Sequence, residues 1–417
     1  MPPPALTETL KVRCCIAGGG PAGMMLGFLL ARAGVQTLVL EKHADFLRDF
    51  RGDTVHPSTL EVIYELGLID DFLSRPHQKI TQVGGQIGAE SVILGDFSHL
   101  PTHCKFLAFM PQWDFLDFLS DHAKTYPAFE LRTRTEVTGL IEEHGRVSGV
   151  RATSPAGPLE VRAELTVGAD GRHSDVRSLA GLKVLDLGAP IDVLWMRLSR
   201  RPDDPAMVLG RIDAGRIFVM LDRGDYWQCA YVIRKGGFEE IKRNGIEAFR
   251  ESIATIAPFT AGRVGELQNW VGIKLLTVTV DRLERWHRPG LICIGDSAHA
   301  MSPIGGVGIN LAIQDAVAAA NILAPKFAEG AIDDETLERV QKRRMLPTRV
   351  TQRMQVLLQD RVISRVLATT RAIQLAWPVR LLRAWPYLRR VPARVIGLGI
   401  RPEHVRTRDI RRPEASR

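Results

Sequence analysis

The sequence predicts an α/β fold with a parallel sheet flanked by helices, an inserted β-sheet and a helical C-terminal segment. Three observations lead to this prediction. An apolar strand near the N-terminus passes through a glycine-rich turn into a helix. Two later apolar strands end in Asp-Gly or Gly-Asp pairs, and the stretches between these motifs alternate apolar and polar residues, as strands do. With 417 residues, the chain can bury a large core and divide into two or more domains.

The glycine-rich turn lies in residues 14–23, which read Cys-Cys-Ile-Ala-Gly-Gly-Gly-Pro-Ala-Gly. Gly18 permits a sharp turn, Gly20 lets the backbone approach a pyrophosphate, and Gly23 lets the helix pack against the strand. The pyrophosphate would meet unpaired N–H groups at the positive end of the helix dipole. A chain with 37 glycines could contain such a turn by chance. The apolar helix expected over residues 22–33 favours a Rossmann-like dinucleotide site instead.

A second apolar strand, from Gln36 to Leu40, ends in Glu41. Glu41 follows Gly23 by eighteen residues, the spacing at which an acid accepts hydrogen bonds from both hydroxyls of a ribose. Lys42, the next residue, is a further candidate for contacting the cofactor. The alternative for Glu41 is a solvated carboxylate at the end of a strand, and only its spacing favours the ribose.

Two later segments carry a similar strand end. Residues 165–177 form an apolar strand that ends in Asp170-Gly171 and leads into a helix start. Residues 291–299, Leu-Ile-Cys-Ile-Gly-Asp-Ser-Ala-His, continue through a glycine-rich entry into an alanine-rich helix. Taken alone, the Asp-Gly pair is a plain turn and the glycine-rich entry needs no ligand.

Together, the glycine triplet, the Asp-Gly segment and the Gly-Asp segment resemble the single-component flavin aromatic hydroxylases, the class typified by para-hydroxybenzoate hydroxylase. The resemblance covers nearly the whole chain and implies one FAD, which we expect to be noncovalently bound. It implies that Asp296 binds the O3′ hydroxyl of the ribityl chain. It also implies that Asp170 and Gly171 serve both FAD and the pyrophosphate of incoming NADPH, with Arg177 locking their loop.

The glycine-rich entry explains why a flavin is expected there. Glycines without side chains let backbone N–H groups approach a flat ring, and the helix that follows directs its positive end towards the ring. A reduced flavin carries negative charge near N1 and O2, which a helix N-terminus stabilises. The resemblance also places a proline of this entry on the substrate side. The candidate cofactor-binding residues of this entry are Pro303, Gly306, Gly308, Ile309 and Asn310.

Two further candidates depend on the resemblance. Arg51, before the expected helix at His56-Pro57, matches the position at which the hydroxylases hold the FAD pyrophosphate and the flavin edge with an arginine. Gln112 matches a glutamine that contacts the ribityl and phosphate region. Without the resemblance, Arg51 is a surface charge and Gln112 a helix cap. His56 is better explained as a hydrogen-bonded structural residue than as a flavin contact.

The inserted stretches look like strands separated by Gly and Asp turns. A sheet that covers the flavin ring would close a mostly apolar substrate pocket. Its candidate lining residues, any of which could instead be core or solvent-facing, are Trp195, Arg197, Phe218, Met220, Gln228 and Tyr231. The predicted domains are an FAD-binding domain (1–80, 104–183 and 281–345), a substrate-binding β-sheet domain (81–103 and 184–280) and a helical basic C-terminal segment (346–417).

The composition favours a cytoplasmic enzyme. The N-terminus has neither a basic region nor an apolar core typical of a signal peptide, and we expect no membrane-spanning run. Five cysteines form no C-x-x-C pair, so we expect small core residues in a reducing compartment and no metal site.

The C-terminal segment is strongly basic. Residues 361–417 contain 14 arginines, no lysine and three acids, so they carry a net charge of +11 against +8 for the whole chain. The segment also contains Trp377, Trp385 and Tyr387. We expect a helical cap on the flavin domain or a contact with a second copy in a homodimer. A peripheral contact with an anionic membrane is the alternative. Nucleic acid is not expected, because no nucleic-acid-binding module is present.

These observations predict an FAD-dependent monooxygenase that uses NADPH or NADH and O2 to hydroxylate a small aromatic or similarly electron-rich substrate. The resemblance implies oxygen addition at flavin C4a and transfer of OH from the hydroperoxide. No catalytic base is identified, since the cofactor carries the chemistry. Two alternatives remain: a flavin-dependent reductase of isoprenoid-type double bonds, which shares this layout, and a noncatalytic FAD-binding interaction protein.

Overall fold

The computed structural model describes residues 7–47, 54–205 and 210–411, and it shows a mixed α/β protein. The strands are β1 Glu8–Ala17, β2 Thr37–Leu40, β3 Thr54–Val55, β4 Gln78–Ile80, β5 Gln82–Ile87, β6 Glu90–Asp96, β7 Leu107–Phe109, β8 Phe129–Arg132, β9 Glu136–Glu143, β10 Arg146–Ser154, β11 Gly157–Gly168, β12 Val184–Asp186, β13 Ile191–Ser199, β14 Gly210–Asp213, β15 Arg216–Asp222, β16 Tyr226–Arg234, β17 Lys274–Leu276, β18 Asp281–Leu283, β19 His287–Arg288 and β20 Leu291–Cys293.

The α-helices alternate with these strands and then dominate the C-terminal part. They are α1 Pro21–Arg32, α2 Pro57–Glu65, α3 Ile69–Ser74, α4 Gln112–Lys124, α5 Asp175–Leu179, α6 Phe238–Arg243, α7 Ile246–Ile256, α8 Val307–Glu329, α9 Asp334–Leu358, α10 Ser364–Ala368, α11 Trp377–Ala384 and α12 Arg390–Leu398. Short 3₁₀ turns lie at Pro258–Thr260, Val264–Glu266, Trp270–Gly272, Gly295–Ser297, Ile304–Gly306 and Pro386–Arg389, and a π-helical turn lies at Gln359–Ile363.

The first sheet has a parallel centre in the order β20-β11-β1-β2-β8, to which β19, β10 and β9 add antiparallel pairs. Its central strands are buried on both faces, which explains why Cys14–Ala17 and Thr37–Leu40 are continuously apolar rather than alternating. The predicted order of strand, glycine turn, helix and strand is confirmed at the N-terminus.

Helices α1 and α8 pack together against this sheet. Among the described residues, the helical stretch Ile304–Glu329 is the only one long and apolar enough to cross a membrane, and its apolar window is 72% buried. Its apolar character is therefore explained by its place in the core. The five cysteines are all buried and form no disulfide.

The second sheet combines strands from both inserted stretches, in the order β17-β13-β16-β15-β14-β5-β6. Strand β5 from the first stretch pairs in parallel with β14 from the second, with Gln86 opposite Arg211. The strands expected around Trp195, Phe218 and Tyr231 are present as β13, β15 and β16. The sequence analysis did not predict α6 and α7, which cover one face of this sheet.

The C-terminal segment is helical, as expected, but only part of it is packed. Helix α12 buries Ala393 and Gly397 against Phe97 and Leu100, which lie in the loop that follows β6. The chain then runs back across helices α9 and α1.

The returning chain, residues 399–411, is tied down by hydrogen bonds along its length. Glu403 pairs with Arg343 at 2.6 Å and with the buried Arg344 at 3.4 Å. Further along, Arg32 donates to the Thr407 carbonyl at 2.6 Å, and Ile410 donates to the Arg32 carbonyl at 3.0 Å. This part of the segment is a strap across the first domain.

Replacing Glu403 should destabilise the protein, because Arg344 would lose a carboxylate partner in the interior. We expect Glu403→Ala to cost about 3 kcal/mol of stability. The matched control is Arg406→Ala in the same strap, where only the backbone is bonded, to the Asn321 side chain at 2.8 Å. Thermal unfolding of both variants tests this, and equal unfolding midpoints would contradict the proposed importance of the strap.

Candidate functional site

The glycine turn after β1 is shaped by contacts that exclude side chains. Gly18 has φ +106°, and a Cβ there would lie 2.4 Å from the Ala169 carbonyl oxygen. A Cβ on Gly23 would lie 2.0 Å from the Gly18 carbonyl oxygen. Gly20 precedes the first turn of α1, which no side chain caps. The helix therefore presents its N-terminus at the carboxyl edge of the parallel sheet, where it suits an anion.

Glu41 lies at the end of β2, next to this turn. It is 7% exposed, and its two oxygens accept hydrogen bonds from the backbone N–H groups of Gly19 and His43, both at 2.9 Å. The turn and the acid are thus held together, as a ribose site requires. Lys42 instead directs its half-exposed ammonium towards Glu136 at 3.8 Å.

Asp170 shapes the loop after β11. Its carboxylate accepts from the Ser174 hydroxyl at 2.5 Å and from the Val176 N–H at 3.0 Å, while burial raises its pKa. Arg177 donates to the Arg172 carbonyl at 2.6 Å and pairs with Asp281 at 3.4 Å, so it does hold this loop. The protein's own donors bond both oxygens of Asp170, and its contact with a cofactor stays a prediction.

Asp296 lies in the 3₁₀ turn that follows β20. Gly295 has φ +59°, and a Cβ there would lie 2.9 Å from the Ala22 Cβ in the first turn of α1. This close approach brings Asp296 beside the glycine turn. Its partly exposed carboxylate pairs with Arg172 at 3.6 Å. Three predicted motifs, separated by more than a hundred residues, therefore meet at one edge of the sheet.

A buried carboxylate that the sequence analysis missed holds this turn in place. Asp315 of α8 is fully buried and accepts from the Gly295 N–H at 3.1 Å, His299 Nε2 at 2.5 Å and Arg344 Nε at 2.8 Å. Burial tends to raise its pKa, but His299 and Arg344 outweigh burial and lower the pKa below its usual value. The signal in the sequence was an acid in the middle of the mostly apolar α8, whose other acid, Glu329, is its last residue.

The glycine-rich entry to α8 contains two different kinds of glycine. Gly306 is left-handed, with φ +62°, and a Cβ there would lie 3.1 Å from Thr54. A Cβ on Gly308 would have no atom within 4 Å among the described residues beyond its own turn of helix. The bare backbone expected at Gly306 is therefore required by the protein itself, and Gly308 is the glycine that leaves space open.

Asn310, which we predicted to bind the cofactor, links α8 to the segment before α2. Its Oδ1 accepts from the His56 N–H and the Thr59 hydroxyl, both at 2.8 Å, and its Nδ2 donates to the Thr54 carbonyl at 3.0 Å. The side chain is thus used inside the protein, and its contact with a cofactor stays a prediction. Ile309 is 9% exposed. Pro303 precedes the 3₁₀ turn of the entry.

His56 is buried, and its Nδ1 donates to the Ile396 carbonyl of α12 at 2.7 Å. Burial lowers its pKa to about 4. This agrees with the structural histidine expected from the sequence. Gln112 begins α4 and is partly buried, but Pro111 occupies the cap position, so Gln112 is not the helix cap. Arg51 lies outside the described residues.

The six candidate lining residues divide between the two faces of the second sheet. Phe218, Met220 and Tyr231 pack against α7 in a separate core, because strand residues alternate between faces. They do not lie with Trp195, and we no longer assign them to the substrate.

The other three candidates share the opposite face. Trp195 packs there beside Val193 and Ile304, which immediately precedes the glycines of the α8 entry. Arg197 lies two residues after Trp195 on β13 and therefore on the same face of the sheet. Gln228 stands opposite Arg197 on β16. Arg197 lies over the Tyr226 ring at 4.8 Å, and Gln228 accepts from Arg223 at 3.1 Å. This face of the sheet is the one against which Ile304, at the entry to α8, packs.

An apolar cleft lies behind the α8 entry and encloses about 830 Å³ of space, partly open to solvent. Its walls come from α8, α9 and α12, and include Leu311, Met354 and Val395. No strand of the second sheet lines it. The cleft therefore does not include the sheet face that carries Trp195, although Ile304 borders both.

A family model described as "FAD binding domain" matches residues 11–354. The chain is 33% identical over 362 residues to 6-methylpretetramide 4-monooxygenase of Streptomyces rimosus, with 86% of each chain covered. It is 29% identical to 12-dehydrotetracycline 5-monooxygenase/anhydrotetracycline 6-monooxygenase of the same species, covering 72% of this chain and 60% of that protein.

Among solved structures, OxyS anhydrotetracycline hydroxylase from Streptomyces rimosus superposes with a TM-score of 0.72 at 26% identity. The match covers 94% of this chain and 77% of that one. The overall fold is therefore similar to that of a known hydroxylase.

The buried His56 should make stability depend on pH. Its folded pKa of about 4 lies below the ordinary 6.5, so unfolding takes up a proton between these values. The stability is complete above pH 6.5 and is lost as the pH falls towards 4, by up to about 3 kcal/mol.

The His56→Asn variant keeps a hydrogen-bond donor near the position of Nδ1 but has no imidazole that titrates. As the pH falls from 6.5 towards 4, its stability should therefore decrease less than that of the parent protein. Thermal midpoints at several pH values would measure the difference. His144→Asn is the control, because His144 is exposed and has φ +50°, which asparagine tolerates. Parallel pH profiles for the parent and His56→Asn would contradict this role of His56.

Proposed function

The chain belongs to the family of proteins with this FAD-binding domain, and from that membership we propose how its residues bind FAD, a nicotinamide and an aromatic substrate. It is an FAD-dependent monooxygenase of the aromatic hydroxylase type. The observation that supports the site is the meeting of the glycine turn, Glu41 and Asp296 at one edge of the parallel sheet. In open α/β sheets, nucleotide ligands bind at this edge.

The described residues fit FAD. The uncapped N-terminus of α1 at Gly20 would receive the pyrophosphate, and Glu41 the ribose hydroxyls. Asp296 would accept from a ribityl hydroxyl. The start of α8, with space beside Gly308, would stabilise negative charge on the reduced ring. When bound, FAD supplies the redox chemistry, accepting a hydride and passing one oxygen atom from O2 to the substrate.

The protein's part in the reaction is to position the substrate and exclude water. We propose that the aromatic substrate lies between the α8 entry and the sheet face that carries Trp195, Arg197 and Gln228. Ile304 already packs against this face, so the two walls meet. Trp195 offers an aromatic surface, while Arg197 and Gln228 offer polar groups at one end.

A nicotinamide must reach this site from outside. The Gly18–Gly23 motif is the only glycine triplet of its kind in the sequence, so we propose that NADPH or NADH binds transiently near the Asp170 loop. Arg172 and Arg177 place positive charge there beside Asp296 and Asp281. We propose that the enzyme works in the cytoplasm, where its five buried thiols stay reduced.

The proposed reaction predicts substrate-triggered oxidation of NAD(P)H with matching O2 uptake. The relatives' names make 6-methylpretetramide and anhydrotetracycline the first compounds to test. Mass spectrometry should show a product that contains one oxygen atom from isotope-labelled O2. Oxygen-independent turnover with a gain of two hydrogens would instead identify the isoprenoid-type reductase. Absence of turnover across a broad panel of phenols and fused aromatics would favour a noncatalytic protein.

Gly308→Val should lower FAD occupancy while the fold survives. A Cβ at this position meets no atom of the described residues beyond its own turn of helix within 4 Å, and the valine methyl groups would fill the space proposed for the flavin ring. The ratio of flavin to protein absorbance measures occupancy, and the thermal midpoint of the apoprotein measures the fold. Gly262→Val is the matched control, because its Cβ also meets no atom within 4 Å. Full occupancy and unchanged flavin reduction in Gly308→Val would place the ring elsewhere.

A further inference from the structure

The part of the C-terminal segment that precedes the strap is exposed. Helix α11 and the 3₁₀ turn after it contain no buried residue. Trp377, Trp385 and Tyr387 are 76%, 63% and 70% exposed. Large aromatic side chains grouped in this way on a surface mark an interaction site.

The exposed side chains of α11 share one face. Trp377 and Leu381 are four residues apart on α11, which places them on one face of the helix, and Trp385 follows directly after the helix ends at Ala384. Val379 and Leu382, on the other side, are partly buried, and α11 contacts β6. The helix therefore rests on the protein by one edge and turns its aromatic face to solvent. We call this surface, with Arg380, Tyr387, Val391 and Arg394, the arginine-aromatic face.

The segment that forms this face contributes charge of one sign only. Residues 361–402 contain nine arginines and no acid or lysine. Within the described residues, the side chains of Arg380 and Arg394 form no hydrogen bond or ion pair. Arg390 lies over the Tyr387 ring at 4.2 Å, and Arg383 pairs with Glu90. Most of the positive charge is thus free to meet an anionic partner.

We propose that the arginine-aromatic face docks on the surface of an anionic lipid bilayer. Arginine attracts anionic headgroups, while tryptophan and tyrosine sit at the headgroup level of membranes. Exposed Leu381 and Val391 supply aliphatic contacts with the acyl boundary. A second copy would bring like charges together. A nucleic acid would use the cations and rings but leave these aliphatic side chains without a role.

The structure limits how this contact is made. Helix α11 has eight residues, about 12 Å in length, far less than the roughly 30 Å of a bilayer core. The chain after α11 continues into α12 and the strap, which are anchored to the rest of the protein. The face therefore lies on the membrane and the enzyme remains peripheral. This proposal does not depend on the oxidation chemistry.

Vesicle flotation with the full-length, FAD-loaded protein tests the proposal. Vesicles of equal parts phosphatidylcholine and phosphatidylglycerol should carry the protein upward, and phosphatidylcholine vesicles should carry much less. Binding should fall as salt rises through 0.1 M, where charges are screened within about 10 Å. Equal flotation with neutral vesicles, or none with either, would overturn the proposal.

Two double variants test whether vesicle binding depends on this face or only on the overall positive charge of the protein. Arg380→Glu combined with Arg394→Glu should weaken binding to anionic vesicles at least about tenfold, since each arginine near the surface contributes substantially. Arg243→Glu combined with Arg339→Glu reverses two exposed arginines elsewhere and should bind like the parent protein. Equal binding by both double variants would overturn the proposal.

A third variant tests the aromatic contribution. Trp377→Ala combined with Trp385→Ala should also weaken flotation, although the net charge is unchanged. FAD content and thermal midpoints should match the parent, because both side chains are exposed. Tight binding of a DNA or RNA duplex without flotation would identify a nucleic-acid surface instead. Concentration-dependent dimers that the tryptophan variant abolishes, without flotation, would identify a self-association surface.

Discussion

The structure depends on the charge of Asp315, which is fully buried in the middle of the protein. An isolated carboxylate there would cost several kcal/mol, so its partners must all be in place at once. Arg344 supplies the opposite charge, while Gly295 and His299 supply further donors. The same arrangement orients the turn that carries Asp296 and, through Arg344, reaches Glu403 in the strap. Cofactor edge, core helix and C-terminal strap are thereby coupled through one buried ion.

This coupling explains why the C-terminal segment has two parts with different roles. The strap forms ion pairs with α9, and both the strap and α12 line the cleft behind the α8 entry. The preceding α11 does neither and keeps its large side chains exposed. The stretch that caps the protein is therefore separate from the stretch that we propose to contact a membrane.

The glycines of the candidate site differ in whether the protein leaves room for a side chain. Gly18, Gly23 and Gly306 are glycines because protein atoms or a left-handed backbone leave no room for a side chain. Gly308 has no such constraint among the described residues, and the space beside it is open. Asn310 belongs to the first group in this sense, because its amide is used to join α8 to the segment before α2.

Local patterns in the sequence were enough to predict the strand-turn-helix at Gly18–Gly23, the strand ends at Asp170 and Asp296, and the basic C-terminal segment. Each depends on residues close together in the chain, where periodicity and turn chemistry act directly. Periodicity also showed that the inserted strands alternate, but it could not say which face meets the cofactor. Only the tertiary structure separated Trp195 from Phe218, Met220 and Tyr231. It alone joined Asp315 to Arg344 and Glu403, because the pairing of buried charges is decided by packing between elements far apart in sequence.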